Sequence, residues 1–226
     1  MSQEHPRHNV ILFYIIGIIF LIITLLGRNI MFEKWKKKTL STIVVLGGVS
    51  TLFVSTPSSH ADYWGYKMDG GVANKSYWVS ELSQPQASYI HQAMSDWVHT
   101  GHILATPIDF KNTTNKSSSS MDFHTQSQYI DGDETIAEAY MYKNGGEVLP
   151  WKTNWSWTAV KINDLRFNEL SEFHRKGVMA HEIGHCFGLA HDGQPNRQSI
   201  MRQGPSNRDV NRATYDNLIE INTLYR

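Results

Sequence analysis

One stretch constrains this chain more than any other: His181-Glu182-Ile183-Gly184-His185-Cys186-Phe187-Gly188-Leu189-Ala190-His191-Asp192. On a helix of 3.6 residues per turn, His181 and His185 stand one turn apart on the same face, so two imidazoles can converge on one metal ion. Glu182 lies on the flank of that face, close enough to hydrogen-bond a water held there and poorly placed to be a third ligand. Gly188 can take the left-handed conformation that ends a helix, and a chain turned there brings His191 back toward the same point. Three neutral nitrogens leave a fourth position open, as a catalytic zinc site needs.

The surrounding sequence supplies a scaffold for that helix. Ser171 is an N-cap, and Phe173, Val178, Ala180, Ile183 and Phe187 are expected to face the core along a helix running to Gly188. Cys186, the only cysteine, allows no intramolecular disulfide and reads as a small buried apolar residue. Asp192 either orients a neighbour or forms a turn. Further back, Ser76–Val79, Ile103–Phe110, 121–130, 135–142 and Trp157–Asn163 read as strands, and Leu82–Val98 as a helix with Ile90, Met94 and Trp97 on one side. His91, His99 and His102 read as surface or core histidines, and 112–120 as a solvated loop. Thr214–Tyr225 reads as a terminal helix whose apolar side includes Tyr215, Leu218, Ile219, Ile221 and Leu224. Its Asp216 is placed to tie it to another segment.

The full string H-E-x-x-H-x-x-G-x-x-H-D resembles the metzincin zinc endopeptidases, and the short chain is most similar to their matrixin-type members. The resemblance implies an α+β fold: a twisted, mostly parallel sheet with an antiparallel edge strand, an active-site helix and a C-terminal helix. It implies a secreted zinc metalloendopeptidase hydrolysing peptide bonds by a zinc-bound water. His181, His185 and His191 would be the metal ligands and Glu182 the general base. Ser199-Ile200-Met201 resembles the Met-turn, with Met201 packed beneath the ligands. The edge strand over 137–142 would lie beside extended substrate, with Ala139, Tyr140 and Met141 supplying contacts. One catalytic zinc is expected, because His124 is the only histidine between 120 and 165, where related enzymes carry a second site. Asp131-Gly132-Asp133 offers acids to calcium but lacks the repeated oxygen ligands of a dedicated loop, so a turn is expected. No cysteine is present to cap zinc from a pro-segment. Arg202-Gln203-Gly204-Pro205 follows Met201 without the tyrosine that some metzincins place there, so no tyrosine ligand is expected.

The N-terminal part adds an address. Val10–Leu26 is a nearly unbroken apolar run of the shortest length that spans a bilayer. A basic stretch around Lys34–Lys38, a second apolar run over Leu40–Val54, Pro57, and small residues at Ser59 and Ala61 then form a secretory-signal layout, with cleavage expected after Ala61. Residues 1–30 are therefore an apolar membrane segment or a mis-assigned start ahead of Met31; 31–61 is the signal peptide; 62–226 is the catalytic domain. Either start exports the domain, and a retained segment anchors it to the membrane. Residues 1–61 hold six basic and two acidic side chains, leaving fifteen against nineteen in the remainder, a balance that speaks against nucleic acid. The expected partner is a protein or peptide substrate and the expected state a monomer, with membrane contact only through the N-terminal segments. Two alternatives stay open: a non-hydrolytic, zinc-stabilised extracellular binding domain, and a membrane-tethered protease.

Overall fold

A computed structural model describes residues 62–126, 134–194 and 196–226. The expected membrane segment, signal peptide and cleavage position, and the Asp131-Gly132-Asp133 turn, lie outside them. Among the described residues, no helix is long and apolar enough to cross a membrane.

Six strands form one sheet: β1 (Lys75–Val79), β2 (Phe110–Asn112), β3 (Met121–Gln126), β4 (Ala137–Lys143), β5 (Gly146–Val148) and β6 (Trp157–Asn163), in the spatial order β2-β1-β3-β6-β4-β5. The first four in that order are parallel, while β4 runs antiparallel to β6 in the register Ala139↔Val160 and Tyr140↔Ala159. Strand β6 reads as an apolar run because it is central and covered: Thr158, Ala159, Val160, Ile162 and Asn163 are all buried. The helices are α1 (Gln84–Val98), α2 (Asp164–Glu169), α3 (Glu172–Cys186) and α4 (Tyr215–Leu224). This is the α+β arrangement expected from the resemblance.

The helices α1 and α3 pack on each other and are tied by the Trp97 indole, which donates to the Ala180 carbonyl at 2.9 Å. Ile90, Met94 and Trp97 are fully buried at their four- and three-residue spacing, and Pro85 sits harmlessly in the first turn of α1. Around the end of α3, Trp155 Nε1 donates to Cys186 O at 3.2 Å, and the Tyr225 hydroxyl donates to Phe187 O at 2.9 Å. One indole and one phenol thus close carbonyls that the helix end leaves without helical partners.

Several expectations are corrected. Ile103–Phe110 is not a strand: a short 3-10 turn, Thr100–His102, leads into irregular chain through Pro107, and only Phe110–Asn112 pairs, against β1. Apolar content misled there, because Ile108 is buried by packing outside any ladder, and Phe110 alone of the stretch pairs with β1. Residues 81–83 form a 3-10 turn, and Leu82 is exposed. Phe173 and Tyr215 each stand at the first turn of a helix with their side chains exposed rather than in the core. Strand β5 and helix α2 were not anticipated. The β4–β5 hairpin turns on Asn144 and Gly145, both at positive φ, the pattern of a tight hairpin turn. Because β5 pairs only with Met141, Tyr142 and Lys143, the first half of β4, from Ala137 to Tyr140, keeps an edge unpaired by any other described strand.

Candidate active site

Helix α3 begins where Ser171 Oγ accepts from His174 N at 3.3 Å, with Glu172 in the first turn, where the helix dipole favours an acid. It ends in a Schellman motif. Gly188 N donates to His185 O at 2.8 Å and Leu189 N donates to Gly184 O at 3.1 Å, with Gly188 at φ +103°. That reversal sends the chain back so that His191 rejoins the helix face.

The three imidazoles converge. Nε2 of His185 lies 3.1 Å from Nε2 of His181 and 3.1 Å from Nε2 of His191. His181 Nδ1 donates to Ile200 O at 2.8 Å, and His185 Nδ1 donates to Leu189 O at 2.8 Å. With their protons held on Nδ1, these rings turn bare Nε2 lone pairs toward one another, which is repulsive without a cation between them. Two nitrogens bound tetrahedrally at about 2.0–2.1 Å from zinc would stand about 3.3 Å apart, so the observed spacing fits that ion. Burial pushes the His185 imidazole down to about 3, moves His181 well below its ordinary value and lowers His191, which keeps all three rings neutral and able to ligate. Among the described residues, this is the group whose donor atoms cluster closely enough to hold a metal ion.

The two helical ligands are supported from different elements. Ile200 N donates to Asn217 Oδ1 at 3.2 Å, and Asn217 Nδ2 donates to Ser199 Oγ at 2.9 Å, so the terminal helix α4 fixes the carbonyl that orients His181. Met201, fully buried, packs against Gly184 between the two helical histidines. Trp64 stacks on His185 with ring centroids 5.2 Å apart and planes 14° from parallel. Its segment is held by Trp64 N donating to Gly188 O at 3.2 Å and by Ala190 N donating to Asp62 O at 2.8 Å.

Glu182 opens onto a cleft of about 890 Å³ together with the three histidines, the residues of β4 and the segment from Gln203 to Arg208. Burial raises its carboxyl to about 8, against the pull of Arg208, and the Ala139 N–H donates to it. Lining the same cleft as the three histidines, this carboxyl is placed to exchange protons with a water and with a leaving group. Ala139 and Tyr140 lie on the unpaired half of β4, whereas Met141 is buried and its strand position pairs with Val148; all three line the cleft. Asp192 forms a turn, with Oδ1 accepting from Gln194 N at 2.8 Å, and also faces Arg197 Nε at 3.4 Å. His91 meets the Tyr77 hydroxyl at 2.8 Å, and His99 and His102 are exposed, all apart from the site.

Three contributors were not anticipated. Trp64 and Arg208 are brought in by tertiary packing from segments with no motif of their own. Arg197 gathers Asp62, Asp192, Asp216 and Glu220 within 3.4 Å and so clamps the start of the described chain to α4. Of the clamp, Asp192 and Asp216 carried a sequence signal, while Arg197, Asp62 and Glu220 did not. Compared with known families, residues 74–226 match the model described as matrixin, which covers more than half of the chain. Comparison with curated proteins gives no match.

Proposed function

The chain belongs to the matrixin family of zinc metalloendopeptidases, and from that premise we propose that it cleaves exported proteins or peptides at internal bonds, with Glu182 as general base beside one zinc ion held by His181, His185 and His191. The observation that carries the reading is the convergence of three imidazoles, with His185 Nε2 3.1 Å from the Nε2 atoms of both His181 and His191, and the Glu182 carboxyl lining the same cleft.

Zinc, when bound, supplies a Lewis acid that polarises the scissile carbonyl and acidifies a water. The chain's own groups do the rest. Glu182 takes the proton of the attacking water on its carboxylate and delivers it to the leaving nitrogen. Ala139 N–H orients that carboxylate. The unpaired half of β4 receives extended substrate as an added antiparallel strand, so that main-chain hydrogen bonds set its register. Trp64 stacks on the His185 ring, and Met201 packs against Gly184 between the two helical ligands. A purely structural zinc would more often have a fourth protein ligand, and the cluster among the described residues has three, which disfavours the non-hydrolytic reading. The basic and apolar layout of residues 31–61 supports export, with release after Ala61 as a monomer.

The test is Glu182→Gln assayed on a peptide library with zinc content measured in parallel. Zinc is expected to stay at one per chain while kcat falls by about 10²–10⁴. Undiminished turnover would refute the role of Glu182, and wild-type protein that binds zinc yet cleaves nothing would favour the binding-domain alternative.

A further inference from the structure

Arg208 is the only lysine or arginine among the described residues lining the cleft, where Glu134, Glu138 and Glu147 also stand. It is 6% exposed. Nη1 donates to the Gly177 carbonyl at 3.1 Å, while Nε is buried without a hydrogen-bond partner. No carboxylate among the described residues forms an ion pair with it; Glu182 acts on it only through the field. A buried guanidinium without a paired carboxylate is costly, and its planar fork fits a carboxylate better than any other side-chain group. Burial lowers its pKa only to about 10, so it remains a cation at neutral pH.

Its position says which part of a substrate it meets. Arg208 and the preceding Gly204-Pro205 form one wall of the cleft, and Val178, one turn before Glu182 on α3, forms the adjoining surface. Glu182 serves the leaving nitrogen, so a pocket on the Glu182 side holds the side chain of the residue that contributes that nitrogen. We infer that Arg208 selects substrates with an aspartate or glutamate immediately after the scissile bond, an assignment that rests on the proteolytic reading. The three glutamates elsewhere along the cleft repel acids, so the preference is confined to that one position.

Two measurements on the zinc-loaded full chain test this. Peptides differing only in Glu, Gln, Leu or Lys after the cleaved bond are compared by kcat/KM, with Glu expected to exceed Gln by tenfold or more and Arg208→Gln to bring that ratio near one. Separately, calorimetry compares otherwise identical tetrapeptides beginning with Glu or Gln, which mimic the released product and need no turnover; the Glu peptide is expected to bind about tenfold more tightly, the gain shrinking with salt. If Arg208→Gln does not fold, the wild-type ratio and the two affinities decide alone. Equal affinities, or cleavage indifferent to Glu and Gln, overturn the inference. If no library peptide is cleaved while the Glu tetrapeptide still binds more tightly, the proteolytic reading fails and the charge recognition by Arg208 stands.

Discussion

Met201 lies so close to Gly184 that a Cβ on the glycine would overlap its sulfur, with Trp97 Cζ2 only 3.3 Å from the same point. The glycine between the two helical histidines is therefore a packing requirement. Alanine would gain about 1 kcal/mol of helix propensity but would force a fully buried methionine to move, at a cost of about 1–3 kcal/mol. Gly184→Ala is expected to lower Tm by a few degrees and, because Met201 neighbours the Ile200 carbonyl that orients His181, to weaken zinc binding. Thermal unfolding and a zinc titration check both; unchanged zinc affinity would separate the packing role from the ligand geometry.

Removing the metal should loosen more than the site. The ligands join α3 to the chain beyond its C-terminal turn, and the Nδ1 atoms of His181 and His185 donate to Ile200 O and Leu189 O. Folded protein alone offers this site, so zinc at a thousandfold excess over Kd adds about 4.1 kcal/mol of stability. A chelator is expected to lower Tm by about 8–16 °C for a domain of this size. His185→Ala should show the chelated Tm with or without zinc. A His185→Ala protein that zinc still stabilises would place the ion elsewhere.

What the sequence made legible follows from where the information is local. Helix α3 could be read because its cap at Ser171, its histidine spacing and its terminal Gly188 are all local signals, and β6 because a central strand is apolar along its length. Ile103–Phe110 misled for the same reason in reverse: Ile108 serves tertiary packing next to Pro107 while Ile103 is exposed, and no period distinguishes that from a strand. Phe173 and Tyr215 sit in the first turns of their helices with exposed side chains, where an apolar residue type alone does not signal burial. Trp64 over His185 and Arg208 beside Glu182 depend on segments more than twenty residues from their partners, which no window of sequence can join.

Arg197 collects four carboxylates, with Glu220 Oε1 at 2.5 Å and Asp62 Oδ2 at 3.0 Å. Burial alone would lower its pKa, but the hydrogen bond and charge of Glu220, then Asp192 and Asp216, raise it above its ordinary value. Glu220 is raised from 4.5 by burial, with Arg197 opposing. A carboxyl whose folded pKa is raised favours the folded state at low pH and loses that contribution as pH rises through the folded value. Arg197→Met removes the opposing cation and raises Glu220 further, so the loss should be small near pH 4 and grow toward neutrality, reaching about 3–5 kcal/mol for a broken buried pair. Denaturant midpoints across pH check this. A pH-independent difference would mean that the arginine contributes by packing alone.

Gly188 is the residue on which the return of His191 depends. At φ +103° an L side chain is strained, and a Cβ there would meet Leu224 Cδ2 at 2.5 Å and the Tyr66 carbonyl oxygen at 3.0 Å. Leu224 can shift at its tip, but the Tyr66 oxygen belongs to backbone held near the site and cannot retreat without moving the Trp64 segment. Gly188→Ala is therefore expected to cost about 2–5 kcal/mol, the sum of left-handed strain and overpacking. The loss should not stop at stability. Leu189 O accepts from His185 Nδ1 and Trp64 N donates to Gly188 O, so a displaced turn misaims one ligand and unseats the ring stacked on it. Zinc affinity and the Trp64 contribution to fluorescence, obtained by subtracting the signal of a matched Trp64→Phe control, should change together in the variant. Lost stability with both site readouts intact would show that the reversal tolerates a side chain and that His191 is positioned by other contacts.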